Sequence, residues 1–234
     1  MLELTGVNAF YGQAHILHGI SLALARGERV AVLGRNGAGK STLLKSIMNA
    51  GPTVRGEVRM DGKGLGNTSA SDRVRLGMSL VPEDRRIFTH ITVAENIRLA
   101  QHGTERRDGL PTLAEVVDKF PMLKDLVGRL GGQLSGGQQQ VLAVARSIAA
   151  RPRLMLLDEP TEGLAPVIVE DLAQKIVEAC DAYGIALLLA EQNIWFARQC
   201  VSRLVLLDSG SVVFSGSWAE FDASSNLVER YLAV

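Results

Sequence analysis

The sequence predicts an α/β fold: a parallel sheet core, an antiparallel β flank and an inserted helical lobe. Apolar runs of strand length recur with helical-period segments between them, which is how a parallel sheet covered by helices reads. Hydrophobic residues make up 47% of the chain and aromatic residues 5%, so aliphatic side chains must fill the interior. At 234 residues the chain is long enough for one large domain, or two small lobes, around a real core.

The elements follow in order. Leu2 to Val7 and Ile20 to Ala25 are apolar segments of strand length with Gly12 and Gly27 near the breaks, and they supply the flank. Arg29 to Leu33 (RVAVL) reads as a buried strand ending in the glycine-rich run Gly34 to Gly39. Leu43, Leu44, Ile47 and Met48 then recur at helical spacing, which predicts a helix over Lys40 to Asn49. Gly56 to Gly62 reads as a strand running into a tight turn, and Met78 to Val81 as a short strand stopped by Pro82. Val93 to Ala100 is a helix. The polar stretch His102 to Gly109 (HGTERRDG) reads as an exposed loop, in preference to a basic binding patch.

Leu113 to Phe120 and Met122 to Leu130 are helical, separated by Pro121. Gln138 to Ala150 is a helix with Val141, Leu142, Ala145 and Ile148 along one face. Strand and helix then alternate through Leu154 to Leu157, Val167 to Cys180, Ile185 to Ala190 and Leu204 to Leu207. A return strand, Ser211 to Phe214, and two short helices close the chain. The whole is expected to be a single domain over 1–234. Its core takes about 1–82 and 153–234, and its helical lobe about 90–150.

Composition removes several function classes. Lys plus Arg equals Asp plus Glu at 25 each, so nucleic acid and anionic lipid are not expected as bulk partners. Cys180 and Cys200 lack metal-ligand spacing and read as buried, reduced thiols of a cytosolic protein. Apolar runs such as Ile185 to Ala190 fall far below the ~20 residues a bilayer requires. The opening Met1-Leu2-Glu3-Leu4 has no basic region followed by a long apolar stretch, so no signal peptide is expected.

Three motifs carry chemistry. Gly34-Arg35-Asn36-Gly37-Ala38-Gly39-Lys40-Ser41 is the phosphate-binding pattern of glycine, four residues, then Gly-Lys-Ser, and Thr42 follows it. Its glycines let several N–H groups face one anion, and the following helix adds its positive end. Lys40 is expected on the β- and γ-phosphates of ATP, and the Ser41 hydroxyl on Mg²⁺. The second motif is a buried strand ending in Asp158 and Glu159. Asp158 would hold Mg²⁺ through its water shell, and Glu159 would orient or deprotonate the attacking water. The third, Leu134-Ser135-Gly136-Gly137-Gln138, opens a helix, so it is a second glycine-rich start able to meet an anion.

That third motif, placed between the other two, resembles the signature of ABC-type ATPases, which are P-loop NTPases, and the resemblance covers essentially the whole chain. It implies two such domains set head to tail, each closing its signature over the ATP held by the other. Ser135, Gly136, Gly137 and Gln138 would then contact the partner's nucleotide, Ser135 and Gly137 its γ-phosphate. Tyr11 matches the aromatic that stacks on adenine, with plain packing as the competing role.

Three positions depart from the family pattern. Where a glutamine usually touches Mg²⁺ and the attacking water, this chain has Glu83, which still offers oxygen ligands but adds negative charge. Ala165 stands where an aspartate is usual. Gln192 replaces a histidine on the γ-phosphate; it can donate a hydrogen bond but cannot carry that charge. With these departures, Val81-Pro-Glu-Asp-Arg-Arg-Ile-Phe88, Glu162-Gly-Leu-Ala-Pro166 and Glu191-Gln-Asn193 resemble the LivF-type ATPases of branched-chain amino-acid importers. Gly34-Arg-Asn-Gly37, Leu44-Lys-Ser-Ile-Met48 and Gln138-Gln-Gln140 are similar to their urea-uptake relatives.

The resemblance implies a second, different ATPase subunit, two membrane permeases and an external binding protein as partners. It also implies a place on the inner face of the cytoplasmic membrane. Arg85, Arg86 and Phe88 match the segment that docks a permease helix, with a solvated charged face as the alternative. The function implied is ATP hydrolysis driving import of branched-chain amino acids or of small polar solutes such as urea and amides. A catalytically weak regulatory half of a heterodimer, motivated by Glu83, Ala165 and Gln192, is the alternative. A non-transport ABC ATPase acting on DNA or ribosomes is disfavoured by the missing second cassette, coiled coil and basic linker.

Overall fold

The computed structural model describes residues 1–103, 109–224 and 227–232. The chain begins with the hairpin β1 (Leu2–Tyr11) and β2 (Ala14–Leu24), then β3 (Arg29–Leu33) and helix α1 (Lys40–Met48). Next come β4 (Thr53–Met60), β5 (Lys63–Gly64), α2 (Ala70–Arg75) and β6 (Met78–Val81). A helical stretch follows: α3 (Val93–His102), α4 (Leu113–Lys119), a 3₁₀ segment over Pro121–Leu126, and α5 (Gly136–Ala149). Then β7 (Leu154–Asp158), α6 (Pro166–Tyr183), β8 (Ala186–Glu191) and α7 (Ile194–Cys200) alternate. The last elements are β9 (Arg203–Asp208), β10 (Ser211–Ser217), α8 (Trp218–Ala223) and α9 (Leu227–Tyr231).

Two sheets form. The larger has the order β10-β9-β3-β8-β7-β6 and is parallel except for the edge strand β10. The smaller, β2-β1-β4-β5, is antiparallel. The central strands alternate between two cores. Ala31, Leu33, Met155, Leu157, Leu187 and Leu189 face the helical lobe, α6 and α7, while Val30, Val32, Leu154, Leu156, Leu188 and Ala190 face α1 and the antiparallel sheet. Burial on both sides is why these strands are apolar without a period of two.

Several expectations shift. The hairpin runs to Tyr11 and restarts at Ala14, longer than the apolar segments predict, because irregular register between Leu4 and Val7 breaks the alternation. Leu130 is not the end of a helix: the 3₁₀ turn stops early, and the chain runs back so that Val127 O and Arg129 O accept from Ala94 and Val93. Of the polar stretch His102 to Gly109, His102 ends α3 and Gly103 caps it, while 104–108 lie outside the described residues.

Helix α2 was not foreseen, and Arg73 explains its place. The Arg73 side chain is buried, and its guanidinium donates to Ser46 O, Ile47 O, Thr68 O and Gly66 O. The cation thus caps the negative end of α1. Burial pushes its pKa down from the ordinary arginine value. Arg73→Ala strips partners from buried carbonyls and leaves a cavity. It is expected to cost about 3 kcal/mol, a fall of roughly 6–12 °C in Tm for a domain of this size, read by thermal unfolding.

Candidate functional site

The parallel register of β3, β8 and β7 places three loops side by side. Leu33 pairs with Glu191, and Asp158 pairs with Ala190. The loops after these strand ends are the glycine-rich run, the turn after Asp158, and the turn from Glu191 into α7.

The glycine-rich loop folds as its composition requires. Gly39 has φ 105°, and a Cβ there would meet Leu17 at 2.8 Å. A Cβ on Gly34 would lie 2.4 Å from the Leu207 carbonyl, so this loop lies hard against β9. Lys40, 4% exposed, donates to Gly34 O at 2.7 Å and Arg35 O at 3.0 Å, and pairs with Glu159 Oε1 at 3.0 Å. All three of its donors are used.

Around this cation the loops close into a ring. Gln192 Nε2 donates to Glu159 Oε2 at 2.9 Å and to Asn36 Oδ1 at 2.6 Å, so Asn36, Gln192, Glu159 and Lys40 link one loop to the other two. Glu159 sits at φ 45°, a left-handed conformation that a non-glycine residue adopts at a cost. Its N–H donates to Ala190 O at 2.9 Å, which holds the strained turn against β8.

Ser41 Oγ donates to Asp158 Oδ1 at 2.9 Å. Burial pushes the Asp158 carboxyl above its ordinary range, against the pull of Ser41, Lys45 and Lys40. Glu83 is held high too, first by burial and then by the charge and hydrogen bond of Glu162, with Asp158 and Glu159 adding to it. Among the described residues no group of three or more His, Cys, Asp or Glu is arranged to hold a metal alone. The oxygens of Ser41 and Asp158 nonetheless fit Mg²⁺, which takes one or two protein ligands and completes its shell with waters and phosphate oxygens.

Ser135 caps α5: its Oγ accepts from Gln138 N at 3.3 Å and its N–H donates to Gln138 Oε1 at 2.9 Å. Ser135 and Gly136 are exposed, and Gly137 and Gln138 half-buried. A Cβ on Gly136 would come 3.0 Å from the Arg85 guanidinium, and one on Gly137 3.1 Å from Ile168. The signature thus lies between the segment after β6 and the start of α6. Tyr11, 43% exposed, ends β1 with its ring beside Gly51. Ala165 is the residue before α6 and offers no side-chain cap.

The structure brings Asn36, Lys40, Glu159 and Gln192 into one network, with the bonded Ser41–Asp158 pair beside it. Sequence reasoning gave no role to Glu191, the last residue of β8, whose buried carboxylate bonds to Thr161 and to the N–H groups of Gln192 and Asn193. An acidic residue ending an otherwise apolar run was the available signal. The missed helix α7 is capped by Asn193, which accepts from Phe196 N at 3.1 Å.

A separate cleft of about 290 Å³ opens between β6 and the helical lobe, lined by Lys45, Val74, Pro82, Arg85, Arg86 and Arg146 among others. Arg146 Nη1 donates to Arg86 O at 3.0 Å, and its guanidinium lies 4.8 Å over the exposed Phe88 ring. Cys180 and Cys200 are both buried, and burial raises both thiols, Cys180 to about 12. Among the described residues no helix is long and apolar enough to cross a membrane.

The ABC transporter family model matches residues 17–162. The high-affinity branched-chain amino acid transport ATP-binding protein BraG of Pseudomonas aeruginosa is 34% identical over 232 residues, 99% of each chain. A probable branched-chain amino acid transport ATP-binding protein, LivF of Archaeoglobus fulgidus, is 33% identical over 217 residues, 93% of this chain and 92% of that one. The solved structure of an ATP-binding subunit of an ABC transporter superposes with a TM-score of 0.83 at 26% identity, covering 99% and 96% of the two chains. A dimeric ATP-binding cassette in a post-hydrolysis state, bound to ADP and Pi, gives 0.82 at 25% identity, covering 93% and 98%. The chain belongs to the ABC transporter family, as one of its ATP-hydrolysing cassettes.

Proposed function

We propose that this chain energises an importer of branched-chain amino acids or of related small polar solutes, working as one of two cassettes beneath two permease subunits. The observation that carries the catalytic part is the ring of Asn36, Gln192, Glu159 and Lys40 beside the Ser41–Asp158 pair. The importer part rests on the near full-length likeness to BraG and LivF.

In this reading the phosphates of ATP lie along Gly34 to Thr42 and take the place of the Glu159 carboxylate on Lys40. Glu159 then turns to accept a proton from the attacking water, and Gln192 donates to the γ-phosphate. Ser41, Asp158 and Glu83 would hold Mg²⁺, whose charge stabilises the transferring phosphoryl group. The start of α5, Ser135 to Gln138, closes over the nucleotide of a second cassette, a different chain.

Loss of the γ-phosphate removes contacts made only in the closed pair, the differential affinity that a switch requires. The core (1–82 and 153–234) carries the nucleotide and the lobe (90–150) carries the signature. The cleft lined by Arg85, Arg86 and Arg146, with Phe88 at its edge, receives a permease helix. In this reading the chain sits on the inner face of the membrane, and a binding protein serves the importer from outside. Nucleic acid has no part in this reading.

Uptake of radiolabelled leucine and of urea by cells with and without an intact copy of this chain tests the cargo. Loss of leucine uptake is expected; unchanged uptake of both solutes sinks the importer assignment while leaving the ATPase standing. Stacking of Tyr11 on adenine predicts that Tyr11→Ala raises the Kd for ATP about three- to tenfold. An equilibrium titration that finds no change returns Tyr11 to a packing role.

A further inference from the structure

We infer that Glu191 is a positioning residue for hydrolysis, clamping the turn that carries Glu159 to the turn that carries Gln192. The inference rests on the ATPase reading above and extends it to a residue outside the nucleotide contacts. Glu191 is 2% exposed at the end of β8. Oε1 accepts from Thr161 Oγ1 at 2.6 Å and Thr161 N at 3.3 Å, and Oε2 accepts from Gln192 N and Asn193 N at 2.9 Å each.

Thr161 lies two residues beyond Glu159, and Gln192 is the neighbour of Glu191. One carboxylate therefore holds both flanks of the 2.9 Å contact between Gln192 Nε2 and Glu159 Oε2. All four of its donors are backbone or hydroxyl groups of the two turns that leave the adjacent strands β7 and β8. Packing alone would place an apolar side chain here, as at Leu187 and Leu189 along the same strand. A buried carboxylate is tolerated only where donors meet it, and here they all belong to the two catalytic turns.

The geometry makes a specific demand on the side chain. Glutamine has the same shape but only one acceptor oxygen, so either Thr161 or the Gln192–Asn193 amide pair would face an NH₂ group. The turns would then separate or rotate, and Gln192 would leave its line to Glu159 and Asn36. The Glu191 carboxylate accepts from none of the residues Gly34 to Thr42, so the change reaches that loop only through the Gln192–Asn36 bond.

The test is steady-state ATPase of the full chain, alone and with its second cassette. The set is wild type, Glu191→Gln, Gln192→Ala and the double variant. Glu191→Gln is expected to lower kcat about 10- to 100-fold with the KM for ATP held within about twofold. In the Gln192→Ala background the same change is expected to cost less than it does in wild type, because the Gln192 branch of the clamp is gone and only its hold on the Glu159 turn remains.

Wild-type kcat in Glu191→Gln overturns the inference, and so does a double variant slowed by the full product of the two single effects. Should Glu191→Gln fail to fold, Thr161→Val, near-isosteric and lacking the hydroxyl, decides: a lowered kcat at constant KM supports the clamp, and wild-type kcat overturns it. A wild-type chain with no turnover in either setting brings down the ATPase reading and the clamp together. A clamp failure in an active wild type leaves that reading intact.

Discussion

Glu159→Gln is expected to bind ATP and fail to hydrolyse it. The change keeps the shape of the side chain and removes the only carboxylate paired with Lys40 among the described residues. Loss of a positioned base lowers turnover by about 10²–10⁴-fold. Affinity should hold or rise, because the ammonium no longer exchanges one anion for another when phosphate arrives. With chemistry blocked, the pair of cassettes stays closed on ATP. Size-exclusion chromatography with millimolar ATP should show a dimer that wild type does not retain. Normal turnover by this variant would falsify the assignment of Glu159 as the base.

Lys40→Ala carries the second large effect, on binding. The ammonium is buried and satisfied by Gly34 O, Arg35 O and Glu159, a geometry ready to deliver charged hydrogen bonds to phosphate. Losing such bonds costs about 1.5–3 kcal/mol, or roughly 10- to 150-fold in Kd. Calorimetric titration with ATP measures it, and a thermal melt without nucleotide checks that the loop still folds. An unchanged Kd removes the phosphate-loop reading, and the mechanism with it.

Much of this site was legible because its chemistry constrains residue type and spacing at once. The Gly-Lys-Ser loop, the Asp158–Glu159 pair and the capped Ser135 helix each need particular side chains at particular steps. The strands β3 and β6 were read to the residue, since double burial leaves long apolar runs with polar or proline stops. What escaped depends on contacts far apart in sequence. Helix α2 has little apolar period, and the Ser69 cap and the reach of Arg73 to α1 hold it. Nothing in the sequence assigns Glu191 a role, and only the pairing of β7 with β8 brings Thr161 to it. Gln192 was placed by resemblance, but its bridge from Asn36 to Glu159 is visible only in three dimensions.

The joint between Phe88 and the signature has a mechanical meaning. Asn96, fully buried, accepts from Phe88 N and donates to Phe88 O, while Gly131 and Gly132 donate to Ile91 O and Thr89 O. The segment from Phe88 to Ile91 is thereby laced to α3 on one side and to the chain that leads into Ser135 on the other. A displacement of Phe88 would therefore reach the backbone before Ser135 through these hydrogen bonds. Such a piece would work as a crank, with its handle at the aromatic ring and its working end at the serine.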